Sequence, residues 1–419
     1  MQGKAGSDLV RRQNRAVILA ALRRKASMSR TDLCAVTRLS PSSVSAITSD
    51  LISEGALAEQ PAAELPGGRR GRPQIALRLN PGLASVATLA LTRNKLTAAI
   101  ADYSGRITGE SEMRLQTANC AGGEMIAHMT ALLASTLKAS GSRPPSSIVA
   151  AVQGRTNDRG RDLLWSPIAA GRDVHLADML EERFGVPAIV ANDCSMIAAA
   201  LRCYNPERYD RDFMAVLLSH GIGMGLYLNN HLFAGTRSSA AEFGHMLFRP
   251  GGALCRCGAR GCIEAYGGDY AIWRNAHGLS EDSLVDADLS QADMMALAAR
   301  ARQSDGPERA AYRLAAEAIG SGLASLFALI DPVPIAFVGS GTAAFDITEP
   351  YIRQAIAQSN AGFFADNFEW ETFESEFPLL KRGSVMTALY AVDDMVSAGQ
   401  PLPSGRVPSH EAEQFRAAS

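Results

Sequence analysis

The residues best placed to do chemistry lie between Glu242 and Glu264. Cys255, Cys257 and Cys262 fall within eight positions of one another, separated by Gly and Arg rather than by core residues, and His245 precedes them across a Pro-Gly-Gly turn. A Cys3His set suits Zn²⁺, which closes a tetrahedron on nitrogen and sulfur donors and, with four protein ligands, keeps no open position for catalysis. The Cys-x-Cys spacing departs from the usual Cys-x2-Cys finger, and three unrelated free thiols are the alternative reading. Glu242 and Glu264 bracket the cluster. Carboxylates held beside a polar loop accept hydrogen bonds from ring hydroxyls, the chemistry a sugar ligand requires, whereas isolated glutamates merely solvate a surface.

A chain of 419 residues with 47% hydrophobic and 20% charged residues exceeds one ordinary core and is expected to form two or three soluble domains. The net charge of −2 conceals an asymmetry: residues 1–80 hold 13 Lys/Arg against 6 Asp/Glu, and the remainder 28 against 37. A basic head on an acidic body places a polyanion at the head. Seven cysteines, three of them clustered, argue for a reducing compartment rather than a disulfide framework. No signal-peptide core and no apolar run of membrane-spanning length is evident, so a cytoplasmic protein without a membrane partner is expected.

The head predicts three short helices. Val17, Ile18, Ala21 and Leu22 form an apolar stripe, with Arg15, Arg23 and Arg24 on the remaining surface. Ser29 with Asp32 opens a second helix that turns Leu33, Val36 and Leu39 inward, and Ser40-Pro41 opens a third. In that third helix Val44, Ile47 and Leu51 pack, leaving Ser42, Ser43, Ser45, Ala46, Thr48 and Ser49 outward. This small hydroxylated face lets a helix lie close in a DNA major groove. A strand from Leu57, the Gly/Arg loop with Arg69, Arg70 and Arg72, and a strand over 74–79 form a wing suited to phosphates or a narrow minor groove. The pattern is a winged helix-turn-helix over 1–80, for which a flexible basic linker is the plain alternative to the wing.

From Pro81 the pattern becomes α/β. Paired strands at 86–91 and 96–101, a helix near 123–138 and a buried strand at 147–152 lead to an acidic helix over 171–185. A strand at 186–190 then delivers Asn192-Asp193 at its carboxyl end, where open α/β sheets place ligands. The run Gly221-Ile222-Gly223-Met224-Gly225 fits a phosphate loop or a tight hairpin equally. An apolar helix at 314–330 and a strand at 335–338 follow; residues 400–419 are expected to be loose, and no internal repeat is visible.

Leu218-x-x-Gly221-Ile222-Gly223-x-Gly225-Leu226, Ala241-Glu242-Phe243-Gly244-His245 and Cys255-x-Cys257-Gly258-x-x-Gly261-Cys262-x-Glu264 resemble the ROK family of bacterial sugar-responsive repressors and sugar kinases, with a match running from about Ser7 to Met395. The resemblance implies zinc on His245, Cys255, Cys257 and Cys262, and sugar contacts from Asn192, Asp193, Glu242, His245 and Glu264. It also implies a two-lobed, actin-like body: one lobe over 81–195 completed by a helix near 382–398, the other over 196–381. In family kinases the residue matching Asp193 is the base that takes the sugar hydroxyl proton. Those kinases carry Asp-x-Gly-Gly-Thr on the first hairpin, where this chain has Ala90, Thr92, Arg93 and Asn94; the second phosphate loop reads Ser219-His220-Gly221. Bulky side chains and a missing carboxylate oppose phosphate and Mg²⁺ binding, leaving Asp193 as a vestige. Ile168 stands where the family commonly has Asn, at the cost of one polar sugar contact. The expectation is a homodimeric DNA-binding repressor of sugar-metabolism genes, bound to a DNA operator and controlled by a sugar effector. The rivals are an ATP-dependent sugar kinase and a regulator answering to a protein partner.

Overall fold

The computed structural model describes residues 2–60, 75–117, 122–169, 172–239, 241–285, 289–360, 362–363 and 368–408, with main chain only for 2–7. The head comprises α1 (Gln2–Arg24), β1 (Met28–Ser29), α2 (Arg30–Thr37), α3 (Pro41–Ser53), β2 (Leu57–Gln60) and β3 (Ala76–Leu79). Its strands form one sheet in the order β1-β3-β2. Ser29 and Asp32 cap α2 reciprocally, and Ser40 caps α3 with Pro41 in its first turn, as the spacing predicts. Ile18, Leu22, Leu33, Val44, Ile47 and Leu51 are buried in the core beneath them. Val17 and Val36, expected inward, are 44% and 55% exposed. Arg15 and Arg23, expected on the surface, are buried, because α1 packs against the body as well as the head. Arg69, Arg70 and Arg72 lie outside the described residues.

The first lobe runs through β4 (Ser85–Thr92), β5 (Lys95–Asp102), β6 (Ile107–Arg114), α4 (Gly122–Ser140), β7 (Ile148–Val152), β8 (Arg155–Thr156), β9 (Leu163–Trp165), α5 (Leu176–Phe184), β10 (Ala188–Asn192) and α6 (Asp193–Tyr204). The second holds α7 (Pro206–Tyr209), β11 (Phe213–Leu218), β12 (Ile222–Leu228), β13 (His231–Leu232), α8 (Glu264–Gly267), α9 (Asp269–Ala276), α10 (Gln291–Gln303), α11 (Pro307–Ile330), β14 (Ile335–Val338), α12 (Phe345–Ala357) and β15 (Trp370–Phe373). The chain then returns through α13 (Phe377–Ser397), which packs on α6 and β4. The acidic helix begins at Leu176 rather than 171.

Each lobe is built on a five-stranded sheet, β6-β5-β4-β7-β10 in one and β13-β12-β11-β14-β15 in the other. In both, three successive strands meander antiparallel and two more add in parallel. The repeat that is invisible in the residues is therefore present in the topology. The glycine run forms the β11–β12 hairpin: Gly221 lies in its turn, while Gly223 pairs with Leu217 and Gly225 with Ala215. These glycines admit α6. A Cβ on Gly223 would stand 2.4 Å from Cys194 Sγ, and one on Gly225 would stand 2.2 Å from the Cys194 carbonyl oxygen. On its other side α6 meets α13 at Gly383, where a Cβ would fall 1.8 Å from the Met196 carbonyl oxygen. Helix α6 is thus gripped between the second lobe's sheet and α13, and a division at residue 195 falls inside it.

Two further expectations change. Of residues 400–419, 409–419 lie outside the described residues, and 400–408 are not loose: the Gly405 and Arg406 amides donate to the Pro145 and Phe184 carbonyls at 3.1 and 2.8 Å. Helix α11 is long and apolar enough to cross a membrane by length and composition, contrary to the reading that no such run exists. Its Ile319, Leu323 and Phe327 are packed in the second lobe's core.

Candidate metal centre and effector pocket

The cysteine loop leaves the second lobe after the short helical turn Phe243–His245 and returns at α8. The Cys255 amide donates to Ala259 and the Gly261 amide to Ala253, which folds the loop into a knuckle. The ligand atoms of His245, Cys255, Cys257 and Cys262 all lie within 4.8 Å of one another. Cys257 and Cys262 sulfurs are 3.8 Å apart, and Cys255 Sγ is 3.7 Å from His245 Nδ1. A tetrahedron with Zn–S bonds near 2.3 Å has sulfur–sulfur edges of about 3.8 Å, so the donor set fits zinc. Burial, then the charge of Glu264, holds the Cys255 thiol well above its ordinary range, and burial with repulsion from Cys257 lifts Cys262 to about 11. Three thiolates in that space need a cation, and metal binding would release their protons.

With Nδ1 turned to the sulfurs, His245 Nε2 faces Glu242 Oε2 at 3.7 Å. The carboxylate of Glu264, 6% exposed, accepts from the Ile222 amide at 3.2 Å and from Cys255 Sγ at 3.6 Å. Burial raises its pKa above the ordinary value. Both glutamates therefore belong to a built site rather than to a solvated surface. They line one pocket with His245, Asn192 and Asp193, so the five expected sugar-contact residues converge from both lobes.

Asn192 caps α6, its side-chain oxygen accepting from the Ser195 amide at 3.1 Å while its amide group donates to the Gly154 carbonyl at 2.8 Å. Asp193 Oδ1 accepts from Asn192 and from the Cys194 amide. Burial, against the stabilising Cys194 amide, pushes the Asp193 pKa up to about 7, helped by the nearby charges of Glu376 and Glu242. Ile168 sits in the first-lobe core with Leu163 and Leu176; the pocket wall at that point is Trp165 and Pro167.

Two pocket residues, Trp165 and Gln153, and one beside the pocket, Arg155, were not singled out in the sequence. Trp165 stands edge-on to the His245 ring at 5.9 Å. Gln153 lines the same wall, and Arg155 pairs with Glu242 at 3.4 Å across the lobes. Register brings two of them together, since Arg155 lies opposite Trp165 in the β8–β9 ribbon. Beside the pocket lies an inter-lobe cleft of about 1010 Å³, shared at Gln153, Asp193 and Gly221. Thr92, Arg93 and Asn94 line it, with Asn94 in the left-handed region at φ 56°.

On the head, Ser42, Ser45, Ala46 and Ser49 are exposed and Ser43 is half-buried. Thr48 corrects the expectation. It is fully buried, donating to the Val44 carbonyl at 2.8 Å and accepting from Arg30 Nε at 3.0 Å. Arg38, exposed at the αL cap between α2 and α3, is a cation beside the outward serines that was missed.

A family profile, "ROK family", matches residues 87–374. The chain belongs to the ROK family. It is similar to the xylose repressor of Bacillus subtilis strain 168, at 24% identity over 279 residues, 65% of this chain and 70% of the relative. It is also similar to the DNA-binding transcriptional dual regulator NagC of Escherichia coli K12, at 24% over 355 residues, 83% and 86% of the two chains. Among solved structures, a ROK family transcriptional regulator described as a homologue of the E. coli MLC protein superposes with a TM-score of 0.75 at 23% identity, covering 93% of this chain and 99% of that one. A ROK glucokinase from Streptomyces griseus superposes at 0.58, covering 72% and 98%. The fold is the mixed α/β, kinase-like body with a small three-helix, three-stranded head in front of it.

Proposed function

We propose that this ROK protein is a sugar-responsive DNA-binding transcriptional repressor and not an enzyme. The observation that carries the reading is the division of the body's two sites. The pocket keeps all five sugar-directed residues together, while the adjoining cleft presents Thr92, Arg93 and Asn94 in place of a glycine phosphate loop. A compact helix-turn-helix precedes that body, and the ROK transcriptional regulator superposes over 93% of this chain. Zinc on His245, Cys255, Cys257 and Cys262 is structural: it fixes His245 against Glu242 and ties the loop to Glu264, leaving both to accept from sugar hydroxyls. Ser42, Ser43, Ser45 and the wing arginines Arg69, Arg70 and Arg72 face the operator, with Arg38 beside them. Two copies engage two half-sites, about one helical turn or a multiple apart. The chain acts in the cytoplasm.

Asp193 favours a second reading, since a carboxylate held near pH 7 suits a general base. Incubation with ATP-Mg²⁺ and monosaccharides separates the two. No phosphorylated sugar is expected; phosphoryl transfer abolished by Asp193→Asn would make the protein a kinase.

A further inference from the structure

We propose that Asp393 of α13 is the positioning residue through which the effector pocket reaches the DNA reader, by a buried latch onto Arg23 of α1. The inference rests on the repressor reading above and names the path that reading requires. Arg23 Nη2 donates to Asp393 Oδ1 at 2.7 Å, its Nε donates to the other carboxylate oxygen, and Nη1 donates to the Tyr103 carbonyl at 2.9 Å. The Tyr103 hydroxyl closes the network on Asp393 Oδ1 at 2.6 Å, and the guanidinium lies 4.6 Å from the centre of the Tyr103 ring. The Arg23 and Asp393 side chains are 2% and 9% exposed. A desolvated pair of this kind is poor evidence for stability, because an apolar pair of similar volume often does as well. Its worth lies in fixing where α1 sits on α13.

Both ends of the path are defined by contacts. Asn192 and Asp193 open α6, which Gly383 lets α13 touch backbone to backbone at Met196. At the far end of α13 the Val396 carbonyl accepts from Arg15 at 2.7 Å, and the same guanidinium pairs with Glu54, the C-cap of the reader helix α3. A shift of α6 on effector binding therefore moves α13, and α13 moves α1 and α3 together. The covalent link from β3 to β4 is a further attachment, so displacement at the latch turns the head about it.

The test uses the zinc-loaded full chain, a duplex selected by that chain from random sequence, and hydrogen–deuterium exchange. Coupling is reciprocal, so duplex binding is expected to alter exchange severalfold over residues 188–204 around the pocket. In Arg23→Met/Tyr103→Phe/Asp393→Leu, which removes the polar network and keeps its volume, duplex affinity is expected within threefold of wild type and the pocket response lost. Arg23→Lys, which keeps the charge but not the two-pronged geometry, should give a partial loss. An unchanged pocket response in the triple variant, or none in the wild type, would overturn the latch. Failure to select any duplex would instead remove the DNA-binding reading, and the latch with it.

Discussion

Asp193 shows how far one carboxylate departs from its ordinary chemistry. Its folded pKa near 7 exceeds the unfolded value of 3.8. The folded state therefore holds a proton that the unfolded state loses, so stability falls as pH rises from about 4 to 7 and stays lower above. Asp193→Asn is expected to stabilise the fold at pH 8 by up to roughly 4 kcal/mol, because each tenfold change in proton affinity is worth about 1.4 kcal/mol. The melting temperature should accordingly rise at pH 8 and change little at pH 4. Equal effects at both pH values would contradict burial as the cause. At the metal centre, Cys257→Ser is expected to abolish stoichiometric zinc by elemental analysis and to lower the melting temperature; retained zinc would refute the ligand assignment. On the reader, Ser45→Ala should weaken duplex binding by about fivefold, the scale of one hydrogen bond near 1 kcal/mol, without moving the melting temperature. Thr48→Val should do the reverse. The buried positions Val44, Ile47, Thr48 and Leu51 follow i, i+3, i+4, i+7, so helical spacing does place Thr48 inside; weighting its hydroxyl above its position is what put it outside.

Among elements, α6 is where packing decides most. Gly223→Ala would press a methyl against Cys194 Sγ, the end of a side chain, whereas Gly383→Ala would press one against the Met196 carbonyl. Both are expected to destabilise, by about 1–3 kcal/mol for overpacking, but only the first should be rescued by Cys194→Ala. Equal rescue of both would mean that α6 is not gripped as described. Gly223 was legible as part of a motif but not as to its purpose, since a hairpin and a phosphate loop share that spacing; Gly383 stands in no such run. The Cys3His cluster was legible because three of its four members are local. Arg155 and Trp165 were not: they reach the pocket on a short ribbon from the other lobe, and neither stands in a recognisable pattern.

At the scale of the molecule, the order of head and body was legible from charge and helix caps, and the two-lobed form from resemblance. The repeated sheet order was not, because alternation sets strand faces and not which strands become neighbours. Nor was the burial of Arg15 and Arg23, whose partners lie 381 and 370 residues away. Head and body meet through α13, the path along which the proposed latch would carry the effect of a pocket ligand to the head. The most direct test of a sugar-controlled repressor is duplex binding by the zinc-loaded protein, titrated with monosaccharides, amino sugars and their phosphates, with ATP-Mg²⁺ in parallel. One sugar is expected to change the affinity at least tenfold, Glu242→Gln to blunt that change, and ATP to do nothing. Binding that ignores every sugar, or a sugar phosphorylated at the expense of ATP, would contradict it.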